Sequence, residues 1–356
     1  MTTSLLLSAA CGLLLVGACA APVTTPDRAP MAEDPRWIVY PGSEDGIGAG
    51  KRVVLVAGDE EYRSEEALPM LGRLLSTHHG FECAVLFSQK PDTGEINPDQ
   101  SDHIPGLHLV DDADLLVLQL RFRELPDEDM AHIMHHTLSG KPLIGIRTST
   151  HPFNYKTNKE SPYAKWTWTS ADPAGGYGKE ILGETWVNHH GHHGVEATRG
   201  VPNAEVAGHE VLRGVADVFG PTDVYGIRGL QDDATVLLWG QVLAGMTPDA
   251  PAVEGAKNEP MHPVAWTRER PVGEDDDATQ RIFTTTMGAA TDMESEDLRR
   301  LFLNAAAWTL GLEADIPEGG LDASMVGTYD PTDFGFGTFR KGLWPADYRD
   351  GTPPRD

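Results

Sequence analysis

The chain has 356 residues, with 28 Lys and Arg against 54 Asp and Glu, a formal charge of −26. So acidic a surface repels phosphate backbones and anionic leaflets, and without a basic patch it argues against nucleic-acid binding and electrostatic docking on membranes. A hydrophobic fraction of 40% with 8 Trp is enough for a sizeable core, which excludes wholesale disorder.

Residues 1–21 form an apolar run too short to span a bilayer comfortably and end in small residues, which predicts an export signal. Within it Val16-Gly17-Ala18-Cys19 resembles a bacterial lipobox, whose cysteine is lipidated and becomes the mature N-terminus, although no Lys or Arg precedes Leu5. An ordinary secretory signal cut near Ala20 or Ala21 is the alternative. Either reading exports the protein, as a membrane-anchored lipoprotein or as a periplasmic or extracellular protein that meets a membrane only through an N-terminal lipid. Residues 22–50 read as a linker and N-terminal extension. With Cys11 removed and Cys19 lipidated, Cys83 is the remaining thiol, and the strand-like run Phe81–Phe87 around it predicts a small buried hydrophobe.

The ordered body starts with a buried strand over Lys51–Gly58, followed by the acidic loop Asp59-Glu60-Glu61. Ser64 with Glu65 and Glu66 behind it reads as the capped start of a helix that stops at His79-Gly80. Further strands are expected at Cys83–Phe87, Asp114–Leu120 and Pro142–Ile146, with a helix from Pro126 to Ser139. This β-α-β-β-α-β alternation predicts a parallel sheet covered by helices on both faces, with ligands held beyond the strands' carboxyl ends. From Pro152 to about Gly220 the pattern dissolves into loops rich in Trp, Tyr, Gly and His; strand-like runs return at Val236–Gly240, Pro263–Thr267 and Arg281–Thr286. A last helix is expected from Ser295 to Leu310, and the tail beyond Pro317 is loop-rich.

The densest chemical signal is Gly183 to Gly194, where His189, His190, His192 and His193 crowd into five positions. Neutral imidazole is the commonest side-chain ligand for zinc and its neighbours, so these four are the candidate ligands of a divalent metal, zinc first. Asp59, Glu60, Glu184 and His151 are candidates for a third ligand or for proton transfer, and Arg147 could hold a carboxylate or a sugar oxygen. The bland alternatives are solvated His, a turn-capping His151 and acids that only screen a helix N-terminus. The Gly-rich segment Gly46–Gly50 precedes the first strand instead of following it, so no nucleotide cofactor is expected.

Four segments together resemble the ThuA-like (trehalose utilisation) family: Gly58–Arg63, Gly145–Phe153, Gly183–Gly194 and Thr284–Gly288. The similarity runs over about residues 51–312, leaving 313–356 as a C-terminal tail. It implies an α/β, flavodoxin-like, doubly wound and mainly parallel sheet with long loop insertions, related to the class I glutamine amidotransferases. Where those enzymes place a nucleophilic Cys this chain has Gly145-Ile146-Arg147, so a thiol mechanism is excluded. The resemblance also implies a role with sugars, including 3-keto-glycosides made by a partner dehydrogenase. Tyr62, Arg121, Trp166, Trp168, Trp186 and Asn188 are then candidates for holding a small-molecule carbohydrate, and Asp59, Glu60, Arg147, His151 and Glu184 for its chemistry. Three functions compete: a metal-assisted enzyme on a glycoside or keto-glycoside, a non-catalytic carbohydrate-binding lipoprotein, and an amide hydrolase without a Cys nucleophile.

Overall fold

The computed structural model describes residue 1 and residues 28–273 and 278–354. Cys11, Cys19 and the rest of the signal-like run lie outside the described residues, as does the acidic turn at 274–277. Among the described residues no helix is long and apolar enough to cross a membrane.

The ten strands are β1 (Trp37–Tyr40), β2 (Arg52–Gly58), β3 (Glu82–Phe87), β4 (Leu115–Leu120), β5 (Leu143–Ile146), β6 (Ala197–Pro202), β7 (Val218–Gly220), β8 (Ala234–Leu243), β9 (His262–Pro271) and β10 (Thr279–Thr285). They join into one sheet in the order β1-β3-β2-β4-β5-β10-β9-β8-β6-β7. The apolar runs at 53–56, 115–118 and 143–146 are adjacent parallel strands, with Val53 opposite Leu115 and Leu116 opposite Leu143. Each is buried along its whole length, as an unalternating apolar strand requires.

The sheet is mixed, which corrects the expectation of a mainly parallel one. Its four parallel pairings run from β3 to β10, and the remaining five are antiparallel. The second half of the chain moves from strand to strand without α-helices, and strands joined that way pair antiparallel. Three strands have no counterpart in the sequence reading: β1, β6 and β7, which are short or sit toward the sheet's edges.

Helices α1 (Ser64–His79), α2 (Asp127–Leu138) and α3 (Glu296–Thr309) cover the parallel half. Alternate residues of β2 face opposite ways: Val53, Leu55 and Ala57 join the core under α1 and α3, while Val54 and Val56 join the one under α2. Ser64 is the first residue of α1 and not its cap; the cap position is Arg63, in the left-handed conformation, and the Ser64 hydroxyl accepts the Asp59 amide. Glu65 and Glu66 are buried instead of screening an exposed helix end. The tail packs across α1: Glu66 accepts both the amide and the hydroxyl of Thr332 at 2.7 and 2.8 Å, and Arg73 donates to the carbonyls of Val326 and Tyr348.

Candidate active site at the carboxyl end of the sheet

At the end of β5, Arg147 has φ of +45°, a left-handed conformation rare for a side-chain-bearing residue and common where a site imposes strain. It opens a short turn that is bound to its neighbours. Ser149 donates to the Leu118 carbonyl and accepts the Leu120 amide, and Thr148 donates to Asp59. The Arg147 side chain is fully buried, its guanidinium 4.0 Å from the Tyr62 ring centroid and 4.5 Å from that of Tyr225. It donates to the Thr286 carbonyl and reaches Asp223 Oδ1 at 3.4 Å.

Asp223 is the centre of the arrangement. The His-rich loop is hydrogen-bonded to the segment that carries it: His190 and Gly191 donate to the Val224 carbonyl, and Gly226 donates to that of Asn188. Gly191 permits the approach, because a Cβ there would lie 3.1 Å from the Asp223 Cβ. Below, Thr222 is held by Asp292, which also caps the turn at Gly288 and Ala289. The buried Asp223 carboxylate therefore faces Nδ1 of His189 at 2.7 Å and Nδ1 of His193 at 3.0 Å, both imidazoles being about one-third exposed. On its other side His193 presents Nε2 to Glu61 Oε1 at 3.4 Å.

These contacts push the two carboxylates flanking His193 in opposite directions. Burial alone would raise Asp223, but hydrogen bonds from His189 and His193 and the charge of Arg147 outweigh it and hold the group well below the usual carboxylate range. Glu61 is raised by burial and by the nearby Asp59, against the pull of Arg121, Arg147 and His193. The hydrogen bond to Asp223 raises His193 against an opposing effect of burial. His151 is driven well below its ordinary value by burial and by the charges of Arg121 and Arg147, so it is a neutral imidazole at pH 7. It lies against Phe122, Trp168, Trp186 and Tyr225 with ring centroids 4.9–6.4 Å away.

The other residues singled out in the sequence are distributed as follows. Asp59 uses Oδ1 to accept the amides of Glu61 and Tyr62 and Oδ2 to accept from Thr148, so its carboxylate holds the loop. Glu60 is bracketed by Arg121 and Arg123, the latter at 2.8 Å, and burial raises its pKa in spite of them. Glu184 accepts the amides of Thr185, Arg228 and Gly229, which fastens two loops together. Trp166 belongs to the core beside Tyr177, whereas Trp168 and Trp186 meet at the site with centroids 5.8 Å apart. Asn188 is exposed at the base of the His loop.

Of the four His, two converge. His189 and His193 have ring centroids 4.8 Å apart, and with Asp223 they offer three ligand atoms within 4.8 Å of one another. His190 donates from Nε2 to the Lys257 carbonyl and packs on His262, and His192 is exposed with its amide on Glu196. Glu61, Asp223, Tyr225 and Phe334 are the residues that sequence reading missed, Glu61 having been read only as part of an acidic loop. A single acid in Pro221-Thr222-Asp223-Val224-Tyr225 has no spacing that signals chemistry, and Phe334, 5.1 Å from His193 and 5.6 Å from Tyr62, arrives from the tail.

No family model matches the sequence, and no curated protein is significantly similar to it. Among solved structures the fold is similar to a ThuA-like protein from Bacteroides uniformis ATCC 8492, 12% identical, over 74% of this chain and 92% of that one with a TM-score of 0.46. It is also similar to a ThuA-like protein from Parabacteroides merdae ATCC 43184, 15% identical, over 73% and 90% of the two chains with a TM-score of 0.45.

Proposed function

We propose that the chain is a ThuA-like enzyme that acts on a sugar, a glycoside or keto-glycoside, by proton transfer between Glu61 and His193 with Asp223 holding the imidazole. The observation that supports this most directly is the buried Asp223 carboxylate accepting from Nδ1 of two imidazoles. Asp223 is a permanent anion that orients His193 and stabilises its charged form, the part the third member plays in a base–orienter pair. Glu61, raised by burial, is placed to exchange a proton with the imidazole, so that the pair can act as acid and base. Trp168 and Trp186 supply flat apolar faces of the kind that stack on sugar rings. Arg147 is closed off from solvent and acts by setting the field at Asp223. In an exported chain this site would meet sugars outside the cytoplasm, and a keto-sugar would come from a partner dehydrogenase.

His189, His193 and Asp223 also suit a divalent cation: two imidazoles and a carboxylate are a zinc donor set that leaves a position open. Bound there, the ion would polarise a sugar carbonyl or acidify a water. Elemental analysis of the purified chain, with turnover assayed on glycosides and 3-keto-glycosides, separates the roles. His189→Ala should lose the metal; Glu61→Gln should keep it and lose at least 100-fold in rate; His190→Ala should change neither. A chain that turns over no glycoside and in which His189→Ala binds as much metal as the unaltered chain would sink the reading.

A further inference from the structure

The tail does more than cover α1. Between Thr332 and Thr338 it runs as a strap along the mouth of the site, held at both ends. Glu66 grips Thr332, and Arg63 donates to Thr332 Oγ1 at 3.2 Å, to the Gly335 carbonyl at 2.8 Å and to Thr338. In the middle the Gly335 amide donates to the Glu61 carbonyl at 2.8 Å, which ties the strap to the proposed proton-transfer residue.

Its two Phe residues complete a circuit of rings. From Phe334 the contacts pass to His193, His189, Trp186, Trp168 and Phe122, with consecutive centroids 4.8–5.8 Å apart. The Arg121 guanidinium lies 4.5 Å from the Phe122 ring centroid and 4.9 Å from that of Phe336, returning the circuit to the strap. Phe334 is packed inward. Phe336, two residues on, at the start of a turn and so at most roughly 7 Å further along the chain, is 58% exposed, one of few large apolar side chains so exposed among the described residues. An aromatic ring that a cation packs against and that is still more than half open to solvent can serve as a platform.

We infer that Phe336 is a specificity-determining residue: it receives the apolar face of the ring adjoining the reacting sugar, so the site takes ligands with a second ring. The inference rests on the sugar-binding reading above. It draws on where Phe336 joins the circuit, at Arg121 and not at His193, so that a ligand touching both extends past the His pair.

Binding of methyl β-glucoside, phenyl β-glucoside and cellobiose, measured by calorimetry and ligand-observed NMR, tests it. The unaltered chain should bind the two-ring probes roughly 3- to 10-fold more tightly than the methyl glucoside. Phe336→Ala should remove that difference and leave the methyl glucoside unaffected, and Phe336→Trp should preserve it. The exposed position makes either variant compatible with folding. If Phe336→Ala keeps the preference, or the unaltered chain shows none, the subsite is wrong while the sugar reading stands. If no probe binds the unaltered chain, both are wrong.

Discussion

Replacing Asp223 by Asn should lower the melting temperature by on the order of 10 °C and return the His193 titration toward or below its ordinary value. The carboxylate and Arg147 are both fully buried, and removing one member of a buried ion pair costs about 3–5 kcal/mol because the other charge is left uncompensated. An amide also cannot accept from both Nδ1 atoms as the carboxylate does, so one imidazole loses its orientation. The sign with pH follows from His193. Its folded pKa is raised, so the stability it contributes is present below about pH 6.5 and disappears as pH rises through the folded value. The deficit of the Asn variant should therefore be larger at pH 6 than at pH 8. Asp217→Asn, an exposed acid 76% open to solvent, serves as the control and should change neither observable. An unchanged His193 titration in Asp223→Asn, followed by NMR of the imidazole protons, would remove the pair from any account of the site.

Glu65→Gln should stabilise the protein at pH 8 and do little at pH 4. Glu65 is buried under the tail, neither of its oxygens has a hydrogen-bond partner among the described residues, and burial together with the adjacent Glu66 pushes its pKa up to about 8. Between pH 4.5 and 8 the unfolded chain gives up this proton and the folded one keeps it, so stability falls with rising pH over that window. A displacement of that size corresponds to at most about 5 kcal/mol, of which the amide should recover a few kcal/mol, since it too is left without a partner. Thermal unfolding of the two proteins at pH 4, 6 and 8 should give curves that separate progressively. Parallel curves would show that Glu65 is ionised or hydrogen-bonded in the folded protein.

The parallel half of the sheet was legible because its strands are apolar on both faces, and no other structure uses four such runs separated by helical patterns. The antiparallel half was only partly so. β6, with the sequence Ala-Thr-Arg-Gly-Val-Pro, is buried without alternation at three positions and partly buried at the others and carries Gly and Pro, and β7 has three residues, too few for any period to register. The site divides in the same way. Arg147 directly follows a strand, and Tyr62 and His151 lie in the loops just beyond strand ends, where an α/β sheet gathers its ligands, so the sequence position was informative. Which two of four neighbouring His converge depends on a turn, in which His192 accepts the amides of Val195 and Glu196 through its carbonyl and sends its own ring elsewhere. Asp223 was invisible because its importance comes from the pairing of loops far apart in the chain.

That mixed sheet has a consequence for how the protein reaches its working state. The cation at the centre of the site comes from the end of β5, the anion and both imidazoles from segments between β5 and β8, and the facing Phe334 from beyond α3. Residues 61, 147, 193, 223 and 334 must all be gathered, and β10, which joins the parallel strands to the antiparallel ones, is the last strand to leave synthesis. Closing such long loops is slow, and the contacts that reward it appear only once the partners meet. Strands β2 to β5 can pair among themselves, whereas the candidate site is complete only once β10 has joined them and the tail has crossed α1. A chain shortened before residue 332 would retain every strand and still lack one wall of its site.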